Sequence, residues 1–393
     1  MVPDAPLYLD ACATTPLAQV ARQAMDEACM TAWANPSSLH GFGLAAAESL
    51  ERSRQSLAAD LGTQAEAVRF CSGATESIHL ALLGAAAALE PGRVLISGVE
   101  HPAVTAAAGR LQQQGWQLQA VPVDATGLLD LDALQALLRS PTRLVSVIGA
   151  QSEVGTLQPL GQIARLCRQA GVLFHTDAVQ LAPHLPLAMD QLGFDLVSLS
   201  AHKLGGPRGV GALLVRQGLS MAPLLGGGGQ ERGLRAGTEP VVLAAGFAAA
   251  LALARRQQSD GTSARIQHQR DRLLLALQDL PGVTLSGPHP ARQPRLPHHL
   301  SLLLSDPRGR PLSGRQVVRA LWQQGVAASS GSACSGASGR PQPSPVLLAM
   351  GVDRDRASSG LRLSLGCWLE DAQIERLPAA LAQAMAGCGA VPP

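Results

Sequence analysis

The sequence predicts an α/β fold with a mostly parallel central sheet and a smaller α+β domain. Three observations carry that expectation. From about residue 65 to 216, short β-type runs alternate with helical patterns, the arrangement of a sheet covered on both faces. Beyond a Gly-rich passage at 226–237 that alternation stops. The chain has 393 residues, 46% apolar and 15% charged, enough for more than one domain and too apolar for disorder.

The β-type runs are 68–71, 94–97, 119–123, 144–148, 172–175, 196–199 and 211–215, with amphipathic segments at 131–138 and 163–170 between them. A long Ala/Leu helix is expected over 240–258. Then follow a helix at 266–280, a strand at 300–304 and a helix at 314–325. A Ser/Gly-rich loop at 329–345, a strand at 362–364 and a closing helix at 371–385 complete the chain. Residues 16–255 are read as the large α/β domain, and 1–15 with 256–393 as the small α+β domain.

Composition excludes several function classes. With 31 basic and 29 acidic side chains the formal net charge is +2, which makes no electrostatic case for nucleic acid or an anionic membrane. The first ten residues carry no Lys or Arg and no long apolar run, so no secretory signal is read there. The uncharged stretch 241–254 is too short to span a bilayer and reads as a buried helix. The seven cysteines are odd in number and form no CxxC pair. Neither a disulfide framework nor a metal site is expected, and a reducing, cytoplasmic setting fits.

Lysine usage is the most informative bias. Of the 31 basic residues only Lys203 is a lysine. Most surface roles of lysine pass to arginine, but formation of an exchangeable Schiff base does not.

Polar residues gather just after the strand runs: His101, then Gln151, Ser152 and Glu153, then Asp177 and Gln180, then Ser200, His202 and Lys203. In open α/β sheets the ligand crevice lies beyond the carboxyl ends of the strands. Any one of these could be a satisfied loop residue; together they point at one rim. Residues 72–77 (Ser-Gly-Ala-Thr-Glu-Ser) follow the first run and open a helix, so the N–H groups near Ala74 and Thr75 can meet a phosphate. Ser200 and His202 are candidate donors to the same phosphate. A carboxylate at a strand end, as at Asp177, can pair with a pyridinium nitrogen and keep it protonated.

At these residues the chain resembles the class V aminotransferase-fold family, and within it the cysteine desulfurases. The resemblance covers almost the whole chain. It runs through 8–16 (Tyr8 to Pro16), the Asn-Pro-Ser-Ser motif at 35–38, the 72–77 turn and Glu100-His101. It continues through 175–180, 200–203, the signature at 227–239 and the Ser-Ser-Gly-Ser-Ala-Cys motif ending at Cys334, and ends at 361–366. The loop at Cys334 resembles that of the long-loop subgroup. The implied fold is that of the aspartate-aminotransferase-like PLP-dependent transferases, and the implied cofactor is pyridoxal 5'-phosphate (PLP).

Carried over residue by residue, the resemblance implies these roles. Lys203 holds the cofactor and moves the substrate Cα proton. His101 stacks on the ring and shuttles a proton. Ala74, Thr75, Ser200 and His202 bind the phosphate, with Thr238 reaching the phosphate of the partner subunit in a homodimer. Asp177, Gln180 and Ser152 contact the cofactor. Arg362 clamps the substrate carboxylate and Asn35 helps bind substrate. Cys334 takes sulfur from L-cysteine as a persulfide, releases L-alanine, and passes the sulfur to an acceptor.

Three departures stand out. Ser152 replaces the usual Asn, Ala11 and Cys12 replace the usual residues before Ala13, and the chain stops soon after 371–385, where housekeeping members carry a longer tail that docks an iron–sulfur scaffold. The acceptor is therefore left open between a protein and a small thiol, and the route between iron–sulfur cluster assembly, tRNA thiolation and cofactor sulfuration. A selenocysteine lyase, a class V aminotransferase and, from another class, a non-catalytic scaffold relative are the competing readings.

Overall fold

The computed structural model describes residues 6–331 and 343–389. Its strands are β1 (Leu7–Tyr8), β2 (Val68–Cys71), β3 (Arg93–Ser97), β4 (Gln117–Val121), β5 (Thr142–Ile148) and β6 (Leu173–Asp177). There follow β7 (Leu196–Ser200), β8 (Gly211–Val215), β9 (Val283–Ser286), β10 (His299–Leu304), β11 (Val326–Ala327) and β12 (Gly360–Ser364).

Seven strands form one sheet in the order β2-β8-β7-β6-β5-β3-β4. The pairs from β7 across to β4 are all parallel. Only β8 runs antiparallel, to both β2 and β7. The mostly parallel α/β expectation therefore holds. Both faces are covered. In β5, Val145 and Val147 enter one apolar cluster with Phe70, Phe174 and Phe247, while Leu144 enters the other with Ile78, Val104 and Leu111. That period-two split is what a strand buried on both sides requires.

Two sequence expectations need correction. The run placed at 119–123 is β4, which ends at Val121. Pro122 has no N–H to give the ladder, and the strand starts earlier, at Gln117, because an edge strand tolerates polar side chains facing water. The closing helix expected over 371–385 is two helices, Asp371–Ile374 and Leu377–Ala386. Pro378 cannot continue the first but fits the opening turn of the second.

A second sheet is antiparallel, in the order β12-β10-β9. Its leucines (Leu300, Leu302, Leu361 and Leu363) pack on Leu273, Leu277, Val317 and Leu321 of neighbouring helices. Each such side chain contributes roughly 2 kcal/mol by leaving water. The chain start belongs to this part of the molecule. β1 pairs with β11, and Asp10 bridges Ser364 at the end of β12. Residues 10–15 then cross to the rim where β3, β5, β6 and β7 end together.

Candidate active site

Lys203 closes a single 3₁₀ turn, Ala201–Lys203, directly after β7. The turn is fixed by N–H groups of Leu204 and Gly206, which both donate to the Ala201 carbonyl. Its Nζ donates to the carbonyl of Cys12 at 2.7 Å and to that of Ala13 at 2.9 Å. The Cys12 carbonyl also accepts from Gln180 Nε2 at 2.9 Å, so one main-chain oxygen holds two of the expected site residues. The crossing segment is stitched to the same turn. Thr15 donates its N–H and hydroxyl to the His202 carbonyl, and the His202 ring meets the Thr14 hydroxyl at 3.1 Å. Burial pushes the Lys203 pKa down, and Arg362 pushes it the same way, against Cys12, Asp177 and Asp10.

Asp177 is the last residue of β6 and is buried. Its Oδ1 accepts from the Val179 N–H at 3.0 Å. Burial pushes its pKa up, while the charges of His101 and Lys203 pull it down. Burial holds the His101 pKa below its ordinary value, against the pull of Asp177. His101 caps the helix Pro102–Gln113, and its Nδ1 accepts the Ala103 N–H at 3.1 Å. The neutral ring therefore carries its proton on Nε2.

The phosphate-type turn has the features its sequence requires. The helix beginning at Ala74 has no side-chain cap, and its first N–H groups at Ala74 and Thr75 have no partner among the described residues. Gly211 at the start of β8 is pressed against Gly73, and a Cβ there would lie 2.8 Å from the Gly73 backbone. Glu76 closes the turn by accepting from the Ser72 N–H at 2.7 Å, and its other oxygen takes Arg235 Nε at 2.9 Å. Ser200, at the end of β7, is buried.

Arg362 lies in the middle of β12 and is buried. Its Nη2 donates to Asp10 Oδ1 at 2.9 Å and its Nη1 to the Ser152 carbonyl at 3.3 Å. Its Nε is buried with no partner among the described residues. The contact from Ser152 is thus made by its main chain, which also accepts from His299 Nε2 at 3.0 Å.

Two buried carboxyls had no assigned role in the sequence. Glu100 accepts from the Ser97 hydroxyl at 2.6 Å and the Ile148 N–H at 2.7 Å, which ties the ends of β3 and β5 together. Burial pushes its pKa up to about 8. Glu153 is pushed up to about 7 by burial, opposed by the Ser344 hydroxyl and by Arg362. A Cβ at Gly331 would run into the Glu153 carboxyl, so only glycine leaves that carboxyl room. Cys334 lies outside the described residues; Gly331 and Ser344 stand on either side of that stretch, and Ser329 is bridged to Arg362.

Asn35 and Thr238 are not joined to this cluster by any bond among the described residues. They line a separate recess of about 400 Å³ with Trp33 and Val241. The segment before Thr238 is held by Glu231, whose carboxylate accepts from both terminal nitrogens of Arg54 at 2.9 Å and from the Phe70 N–H at 2.8 Å. Glu231 and Arg232 have φ of 47° and 57°, a left-handed backbone that non-glycine residues adopt only when held there. Among the described residues no group of three or more His, Cys, Asp or Glu could hold a metal ion, and no helix is long and apolar enough to cross a membrane.

The arrangement can hold an anion at a helix N-terminus, a cationic ring at a buried carboxylate, and an amine poised to form an imine between them. Residues 7–377 match the family model for class V aminotransferases. The chain belongs to the class V aminotransferase family. This family member is 37% identical to the cysteine desulfurase IscS of Dictyoglomus turgidum, over 92% of this chain and 90% of that one. It is similar to the solved structure of a NifS-like protein, with a TM-score of 0.88 and 32% identity over 97% and 99% of the two chains. It is also similar to that of SspA in complex with cysteine, with a TM-score of 0.79 and 29% identity over 91% and 98%.

Proposed function

We propose that this class V aminotransferase-family chain is a PLP-dependent cysteine desulfurase that converts L-cysteine to L-alanine and carries the sulfur as a persulfide on Cys334. The observation that carries the reading is the placement of the sole lysine, half-buried at a strand end near the charges of Asp177 and Arg362. Cysteine desulfurase relatives and a structural neighbour with cysteine bound support the substrate.

The residues present fit PLP. The uncapped N–H groups at Ala74 and Thr75 suit a phosphate, and Asp177 is a buried carboxylate in want of a cationic partner. Ser200, His202, Ser152 and Gln180 stand around the same rim, and Lys203 would hold the cofactor covalently. When bound, PLP supplies an electron sink for the charge left at Cα. Asp177 keeps the ring nitrogen protonated. Arg362 pairs with the substrate carboxylate through its guanidinium. Lys203, with its pKa lowered, takes the Cα proton, and His101 offers the Nε2 proton at neutral pH. The Cys334 thiolate attacks the substrate sulfur. An S–S bond forms, the C–S bond breaks, and the carbon skeleton takes up a proton to leave as alanine.

We also propose a homodimer. Met30, Trp33, Leu39, Phe42 and Leu44 are large apolar side chains left exposed beside the recess that holds Asn35 and Thr238. A second copy would cover them and bring Thr238 and Asn35 to the partner's site. The division into residues 16–255 and 1–15 with 256–393 is proposed on the same family resemblance. The acceptor is proposed to be a protein or small thiol, with iron–sulfur cluster assembly as the destination. A cytoplasmic setting suits a thiol that must return to the reduced form each turnover.

The test is release of sulfide and L-alanine from L-cysteine, with a thiol reductant present, by wild type and Cys334→Ala. Wild type should release both in equal amounts and the variant should lose sulfide release. No sulfide from wild type would sink the reading, and full sulfide release by the variant would remove Cys334 from its role.

A further inference from the structure

The guanidinium expected to receive the substrate carboxylate already has a carboxylate on it. Asp10 Oδ1 sits 2.9 Å from Arg362 Nη2, the one ion pair that Arg362 makes among the described residues. Asp10 is not free to swing away with its backbone. It bridges Ser364, and its carbonyl accepts from the N–H groups of Ala13 and Thr14 and from the Tyr8 hydroxyl.

We propose that Asp10 is a built-in counter-carboxylate that weakens the site's grip on amino-acid carboxylates, substrate and product alike. The inference rests on Arg362 as the carboxylate site.

Two effects of Asp10 oppose each other. It orients the guanidinium, which favours binding, and its charge repels a second carboxylate, which disfavours binding. Orientation does not depend on Asp10 alone. Nη1 is fixed on the Ser152 carbonyl at 3.3 Å, and β12 is clamped by its full register with β10. The charge has no such substitute, because no other carboxylate is bonded to Arg362 among the described residues. Repulsion therefore wins. The incoming group finds, on the guanidinium it must pair with, an anion that has already neutralised the arginine. L-Cysteine and L-alanine share this carboxylate, so both should feel Asp10 equally.

The test is calorimetric binding of L-alanine to the cofactor-loaded protein, wild type against Asp10→Asn and Arg362→Gln. The amide keeps an oxygen facing Arg362 but removes the charge. Asp10→Asn should bind L-alanine about tenfold more tightly, an ordinary size for coupling between neighbouring charges. L-Alaninamide, which has the amine but no carboxylate, should bind wild type and Asp10→Asn alike. Equal tightening for the amide would assign the effect to Lys203 instead and overturn the proposal. Asp10→Ser should move in the same direction as Asp10→Asn. If Arg362→Gln weakens L-alanine binding while neither Asp10 variant tightens it, this inference fails and the carboxylate site stands. If Arg362→Gln leaves binding unchanged, the carboxylate site itself is wrong and the inference falls with it.

Discussion

The Lys203 amine rests on the main-chain carbonyl of Cys12, 2.7 Å away, although 191 residues separate them. The contact holds the amine at the rim without neutralising it, because a carbonyl carries no net charge. Asp177 and Asp10 then act on Lys203 only from a distance.

Lys203→Arg should abolish covalent attachment of PLP. Borohydride reduction followed by mass spectrometry should find the cofactor mass on a Lys203 peptide of the wild type and nowhere in the variant. No second lysine side chain exists to take over the attachment. Finding it would remove Lys203 from its proposed role.

Gly331→Ala should be costly. The added Cβ would collide with the Glu153 carboxyl, which is buried and would have to shift to admit it. Overpacking of this kind costs about 1–3 kcal/mol. Urea denaturation should show that loss, and sulfide release should fall more than L-alanine binding. Gly331→Ala with unchanged stability and rate would show that Glu153 yields freely.

Glu100 gives stability a pH slope of known sign. Its folded pKa, about 8, lies above the ordinary carboxyl value because of burial. Between those values the folded state holds a proton that the unfolded state has lost, so stability falls as pH rises through that window. Glu100→Gln removes this contribution. The stability of the variant relative to wild type should rise from about pH 5 to about pH 8 in urea titrations, and a constant difference would contradict the assignment.

Arg54 and Glu231 form a buried pair, with side chains 8% and 2% exposed. Removing one partner strands the other charge, so Arg54→Met should cost about 3–5 kcal/mol. Arg54→Met with Glu231→Gln should recover part of that loss, because no bare charge remains. Equal destabilisation in single and double variants would mean that the pair acts only through packing.

Much of this site was readable because strand ends and lysine usage leave marks in a sequence. Alternating β-type runs located the rim, and chemical necessity singled out Lys203. What escaped has no such mark. The Cys12 carbonyl is a main-chain acceptor, and any residue there supplies one. The surroundings of the buried Glu153 carboxyl depend on Gly331 and Ser344, which the chain brings back from far along its length. The partner of Glu231 lies 177 residues away, and only the fold shows that the two meet.

The crossing segment at residues 10–15 has a consequence for synthesis. Residues 10–15 leave the ribosome well before the strands whose rim they cap. Cys12 waits for Lys203 and then for Ser364, and Asp10 waits for Arg362, each of the last two pairs spanning 352 residues. Contacts of such separation form late, after the loops between them have closed. A nascent chain with the seven-stranded sheet complete still lacks the strand that carries Arg362. Arg362 therefore joins residues 10–15 and Lys203 only once β12 has been made, and a ribosome that stalls before it leaves Asp10 without the arginine it pairs with.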